Sequence, residues 1–223
     1  LSCRQVIEAV RKGMERGKED FQVHYGIIVC AMRNHSEEQN LAMLKCAREY
    51  LGEGVCALDL AGDESAYPTA CFRNIFQEAK RLGMPYTIHS GETGNLENVR
   101  EAWELGAARI GHGIALKKDP ELMKAYAKTG IGVEMCPTSN FQTKAVQTWQ
   151  DYPLRQFLDA GIKVSVNTDN RTVSGTTMTQ ELAKVYEQYG RDEELIFTLL
   201  KNAADTAFDT EIKEIFEKKW KGI

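Results

Sequence analysis

The sequence predicts an α/β fold of parallel strands arranged as in a barrel. Three observations predict it. Short apolar runs alternate regularly with amphipathic helical stretches, a glycine precedes most of the runs, and residues able to do chemistry follow the ends of several different runs.

The chain opens on LSCRQVIEAVRKG, which reads as the start of a helix. Val6, Val10 and Met14 recur at helical spacing and are expected to pack against the sheet. YGIIVCAM is the first strand. Gly52 then stands before GVCALDLAG, Gly83 before MPYTIHSGE, Gly106 before AARIGHG, Gly130 before IGVEMCPTSN and Gly161 before IKVSVNTDN. A glycine at these points ends a helix in the left-handed conformation without a Cβ penalty. The runs are continuously apolar rather than alternating, as parallel strands covered on both faces should be. The count is six strands. Between them lie helical stripes such as Phe72, Ile75, Phe76, Ala79 and Leu82, then Leu96, Val99, Ala102 and Trp103. The last fifty or so residues carry only helical patterns: Leu182, Val185, Tyr186 and Tyr189, then Leu195, Ile196, Leu199 and Leu200.

Periodicity alone does not separate a barrel from an open doubly wound sheet. The positions of the polar residues help. His89, His112, Thr138 and Asp169 each lie at or just past a different strand's C-terminal end. A barrel gathers that face into one site, whereas an open sheet spreads it along a row. No GxGxxG follows the first strand, which argues against a dinucleotide fold.

Composition narrows the function classes. The 223 residues carry 43% hydrophobic and 27% charged side chains and a net charge of −4. No Lys/Arg-rich block suits a nucleic-acid backbone, and no apolar run approaches the ~20 residues of a membrane span. No Pro/Ser/Gly-rich linker divides the chain, so residues 1–223 are expected to form a single domain. The six cysteines make no CxxC pair. Cys30, Cys56 and Cys136 sit inside apolar runs and are expected to be buried, reduced thiols, which places the protein in the cytoplasm. LSCRQVIEAVRKG is expected to be a helix start rather than a charged-then-apolar leader.

Four segments carry the chemistry. In HSGE, His89 ends a strand and Glu92 follows in a glycine-containing turn; an imidazole can bind zinc and a carboxyl can pass protons. In GHG, His112 lies between two glycines that admit close approach. In NTDN, Asp169 can bind a metal or orient a water. In DLAGDE, Asp59, Gly62, Asp63 and Glu64 end a strand, and Gly62 can expose its N–H. Each has an ordinary alternative: a hydrogen-bonded structural histidine, a tight turn, a helix-capping aspartate, a plain βα turn. Only four histidines exist, and two of them stand at strand ends. Together, the four segments form a constellation.

DLAGDE, HSGE, RIGHG and NTDN resemble, in order and spacing, the motifs of the adenosine deaminase family of the amidohydrolase superfamily. VCAMR, EMCPTSN and KNAADTAF look like that family too, and the resemblance runs over essentially the whole chain. It implies an incomplete (β/α)8 TIM-type barrel of about six parallel strands plus C-terminal helices. It implies hydrolytic deamination of adenosine and 2′-deoxyadenosine to inosine, with a hydroxide that zinc activates attacking C6. By the same resemblance His89 and Asp169 are zinc ligands, Glu92 protonates ring nitrogen N1, and His112 orients the attacking water and helps take its proton. Gly62 offers its N–H to N3 and Asn170 meets N7.

Two departures stand out. Asn170 and Arg171 occupy places where the family commonly has a second Asp and a Pro. An Asn NH₂ can still donate to N7 without being protonated. The family's first strand carries a His-x-His pair that supplies two more zinc ligands, and this chain has none. With six strands and no initiating Met, it reads as a C-terminal portion lacking the first two strand–helix units. A complementing N-terminal segment of the same protein is the expected partner, beside the small purine nucleoside. The competing readings are a related deaminase acting on adenine or AMP, and a fold-keeping fragment without catalysis.

Overall fold

The computed structural model describes residues 1–220. In chain order the elements are α1 (Cys3–Phe21), β1 (Ile27–Met32), α2 (Glu37–Arg48), β2 (Val55–Ala61), α3 (Arg73–Arg81), β3 (Thr87–Ser90), α4 (Leu96–Leu105), β4 (Arg109–His112), α5 (Pro120–Ala127), β5 (Gly132–Met135), α6 (Pro137–Gln142), α7 (Leu154–Asp159), β6 (Lys163–Val166), α8 (Arg171–Ser174), α9 (Met178–Gln188), α10 (Glu193–Asp205) and α11 (Thr210–Lys219). All six apolar runs are strands. The five glycines expected to end helices all take positive φ, from 64° at Gly83 to 90° at Gly106.

Every pairing is parallel and follows chain order. β1 pairs with β2, and β3, β4, β5 and β6 pair in sequence. A single bridge, Leu58 to Tyr86, with Leu58 N–H donating to Pro85 O at 2.8 Å, joins the two sets. A sequential parallel row wound by right-handed crossovers curls as a barrel wall does; a doubly wound sheet would reverse its order at a switch point. Among the described strands, β1 pairs only with β2 and β6 only with β5, so the wall is an incomplete barrel.

Register separates the two faces of this wall. Ile88, Ile110, Val133 and Val164 are successive partners across β3 to β6. Each is at most 1% exposed, beneath the helices. Burying side chains of this size contributes about 1.5–3 kcal/mol each. Alternation turns the next row inward: His89, Gly111, Glu134 and Ser165. Below His89 the interior is polar. Arg109 Nε donates to Glu134 Oε1 at 2.5 Å, Thr87 Oγ1 donates to the same oxygen at 3.1 Å, and the guanidinium lies 4.0 Å from the Phe208 ring centroid.

Two expectations are corrected. Val6, Val10 and Met14 are 46%, 45% and 40% exposed; α1 turns Ile7 inward instead, against α2. An apolar stripe shows amphipathicity, but not which neighbour covers it. Of the three cysteines expected to be buried, only Cys136 is; Cys56 is half-buried and Cys30 exposed, because β1 lies at the end of the row. All six thiols are free, and no described helix is long and apolar enough to cross a membrane.

Candidate active site

Of the sequence-predicted residues, His89, Glu92, His112 and Asp169 come together at the C-terminal mouth of the wall. His89 sits inside the end of β3, over Gly111 of β4. A Cβ at Gly111 would stand 3.1 Å from His89 Cα and Cγ, so only glycine leaves the ring its place. His89 Nδ1 lies 2.7 Å from Asp59 Oδ2, off the line of the ring N–H. Burial works against the charged imidazole, but the Asp59 carboxylate more than offsets it, and the pKa rises to about 9. A cation taken up by His89 would therefore displace a proton.

His112 closes β4 in the left-handed region at φ 62°, and Asp169 follows β6 at φ 54°. Strained non-glycine residues of this kind collect at functional sites. The His112 ring is 1% exposed and its centroid is 5.0 Å from that of His89. Asn140 Nδ2 stands 2.9 Å from His112 Nδ1, and the Asn140 oxygen accepts from the Tyr152 hydroxyl at 3.3 Å. An amide nitrogen only donates, so His112 Nδ1 accepts and its proton sits on Nε2. Burial lowers the His112 pKa and keeps the ring neutral. Nε2 points toward Glu92, whose Oε2 is 3.6 Å away.

Glu92 lies in the loop after β3, and its Oε1 accepts from Thr143 Oγ1 at 2.9 Å. Asp169 Oδ2 accepts from Ser139 Oγ at 2.6 Å. Burial raises the Asp169 pKa, but the Ser139 hydrogen bond and the two histidines outweigh it and hold the carboxyl below its usual range. Gly62, at φ +113°, and Glu92 line one cleft of about 510 Å³, together with Lys117, Lys118 and Thr143. Asn170 caps α8, its Oδ1 accepting from Val173 N–H at 3.1 Å, so the aspartate beside it is not the cap. Thr138, grouped with the strand-end residues on sequence, instead gives its N–H to buried Glu181 at 2.9 Å.

The profile of the adenosine deaminase family matches residues 1–218. The chain belongs to the adenosine deaminase family. It is 42% identical over 208 residues to the adenosine deaminase of Enterococcus faecalis, covering 93% of this chain and 62% of that protein. It is 37% identical over 215 residues to that of Clostridium acetobutylicum, covering 95% and 63%. The chain thus spans a little under two thirds of the length of these relatives. Among solved structures, an amidohydrolase of Burkholderia ambifaria with bound zinc superposes with a TM-score of 0.91 at 22% identity, over 99% of this chain and 62% of that one. The adenine deaminase of Arthrobacter aurescens superposes with 0.84 at 24%, over 96% and 67%. These two likenesses establish the fold.

Within this adenosine deaminase fold, Ser139, Asn140, Thr143 and Tyr152 are site residues that motif reading passed over. Three of them follow Pro137 in or next to α6, in and just after the EMCPTSN run. A hydroxyl and an amide directly after a strand end were the available signal.

Proposed function

We propose that the protein hydrolyses adenosine and 2′-deoxyadenosine to inosine or deoxyinosine and ammonia. The observation that carries this reading is the meeting of His89, Glu92, His112 and Asp169 at one strand-end mouth, in a chain of this family. His89 and Asp169 are donor types that zinc takes, an imidazole and a carboxylate. Two donors fall short of the three that a catalytic zinc site normally uses. Among the described residues, no group of three or more His, Cys, Asp or Glu could hold a metal. These residues alone therefore do not complete a zinc site. The proposed site takes its remaining donors from a complementing segment of the same protein, one that carries the His-x-His pair.

The chain's own residues account for substrate handling. Glu92, restrained by Thr143 at the edge of the Gly62 cleft, donates a proton to ring N1. Protonation there draws electrons from C6, where water adds; one of the water's protons restores Glu92 and the other goes to the amino group, which departs as ammonia while the C6 carbonyl forms. His112, neutral and protonated at Nε2, gives the attacking oxygen a fixed donor; with Nδ1 held by Asn140 it orients the water but does not take its proton, unlike the role the family resemblance implies. Gly62 presents its N–H to N3. With the Asn170 oxygen committed to α8, its NH₂ is the group turned to N7. The six free thiols support a reducing, cytoplasmic compartment.

A second reading rests on Lys117 and Lys118, which line the same cleft and suit a 5′-phosphate. The test is ammonia release by the complete gene product from adenosine, adenine and AMP. Preference for adenosine is expected. Preference for AMP would favour the lysine reading, and no turnover of any of the three would refute the assignment.

A further inference from the structure

Arg33 and Glu64 are among the most buried charged side chains in the protein, 1% and 5% exposed. Ions removed from water this completely must find strong partners. Among the described residues, neither forms an ion pair. Each is directed instead at the main chain of the same five residues, 89–93.

Arg33 follows β1. Its Nη2 donates to the His89 carbonyl at 2.7 Å and to Thr69 Oγ1 at 3.2 Å, and its Nη1 donates to Tyr67 O at 2.6 Å. Glu64 follows β2. Its Oε1 accepts from Gly91 N–H at 2.5 Å, and its Oε2 from Thr93 N–H at 3.3 Å. Those two amides flank Glu92. Asn98 links the two charges: its Nδ2 donates to Glu64 Oε1 at 2.9 Å, and its Oδ1 accepts from Thr69 N–H at 3.0 Å. The ring thus runs from Glu64 through Asn98 and Thr69 to Arg33. Gly62 packs against it, since a Cβ there would stand 3.3 Å from the Arg33 Cβ and crowd it.

We propose that Glu64 and Arg33 are positioning residues, a two-ended clamp on residues 89–93 that fixes the carboxyl of Glu92 relative to the imidazole of His89. The inference rests on the deaminase reading given above. The clamp ties the turn that presents Gly62 to the loop that presents Glu92, so the groups assigned to N3 and N1 are held on one rigid frame. The β3 exit contains two glycines within four residues, Gly91 and Gly94, and would otherwise be free to shift. A displacement of about 1 Å in such a group can cost 10²-fold in rate.

The test uses Glu64→Gln in the complete gene product. A Gln keeps the volume and one acceptor but turns an NH₂ toward the Thr93 N–H. Hydrogen exchange over residues 89–95 is expected to quicken by about 10- to 100-fold, with β5 unchanged. The kcat for adenosine is expected to fall by about 10- to 100-fold, with KM and metal content within about twofold. In a Glu92→Gln background, Glu64→Gln is expected to cause no further loss, because it acts through Glu92. Arg33→Lys is expected to loosen the His89 end, weakening metal uptake about tenfold while leaving the exchange at Gly91 and Thr93 near normal. Unchanged exchange, a kcat within twofold of the parent, or an additive loss in the double variant would each overturn the clamp. If Glu64→Gln does not fold, Glu64→Asp, which keeps the charge on a shorter arm, is read in the same way. If the parent protein turns over no purine, the deaminase reading fails, and the exchange measurement still decides whether the clamp exists.

Discussion

Glu181→Gln is expected to destabilise the protein by about 3 kcal/mol at pH 7 and to loosen the segment that steadies two site residues. Glu181 is 0% exposed on α9. Its carboxylate accepts from Thr138 N–H at 2.9 Å, from Thr176 Oγ1 at 2.5 Å, from Lys184 Nζ at 3.2 Å and from Thr138 Oγ1. Thr138 belongs to α6, whose next two residues hold Asp169 and His112. Gln fills the same space and keeps one oxygen. It removes the charge from two or three hydrogen bonds, each about 1 kcal/mol stronger for it, and turns an amide donor toward donors at about 1–3 kcal/mol. For a chain of this length the expected fall in Tm is about 6–12 °C. Burial raises the Glu181 pKa, but the Thr138 and Thr176 hydrogen bonds and Lys184 outweigh it, and the folded value lies below the ordinary one. The stabilisation is therefore complete above the unfolded-chain value of about 4.3 and is lost as pH falls through the lower folded value. Urea unfolding followed by circular dichroism, at pH 7 and at steps below pH 5, reads both effects. A variant within about 0.5 kcal/mol of the parent at pH 7, or a gap that does not narrow in acid, would refute the reasoning.

Three further outcomes are expected. Glu92→Gln should retain zinc and lose about 10²–10⁴-fold in kcat, since an amide cannot give its proton to N1; near-normal kcat with metal present would remove Glu92 from that role. Ser139→Ala deletes a 2.6 Å bond to the Asp169 carboxylate. Chelator competition should show metal held about tenfold or more weaker. The Asp169 pKa should also move upward, so that binding fails at a higher pH than in the parent, and an unchanged acid limb would count against it. The 223-residue chain refolded alone should bind zinc substoichiometrically and turn over no adenosine, because His89 and Asp169 are two donors where three are needed; stoichiometric zinc with ordinary turnover would overturn their assignment as the chain's only ligands.

The strands were legible because a parallel strand covered on both faces must be apolar at every position, and because a left-handed glycine stands ahead of five of the six runs. His89, Glu92, His112 and Asp169 were legible because reactive side chains stood at strand ends, where such a wall gathers them. The barrel itself needed coordinates: the sequential order β1 to β6 decides against an open sheet, and composition is the same for both. The face of α1 was misread because the stripe Val6, Val10 and Met14 states a periodicity, while burial depends on what lies opposite.

What stayed hidden shares one physical cause. Glu181 and Arg33 look, along the sequence, like ordinary surface charges, and Glu64, though it stands in DLAGDE, has no role of its own there beyond a plain βα turn. A charge solvated by water and a charge solvated by backbone 27 or 43 residues away have the same letter and the same neighbours. Only burial tells them apart, and a buried ion is tolerated where the structure around it is over-determined. Here those places are the turn after β2, the loop after β3 and the start of α6. They are the three segments that present Gly62, Glu92, and the Ser139 and Asn140 partners of Asp169 and His112. These buried charges thus hold main chain directly beside the reactive groups. Substitutions at Glu64 and Arg33 should therefore disturb catalysis out of proportion to their effect on stability, the reverse of what substitutions in the Ile88–Ile110–Val133–Val164 row should do.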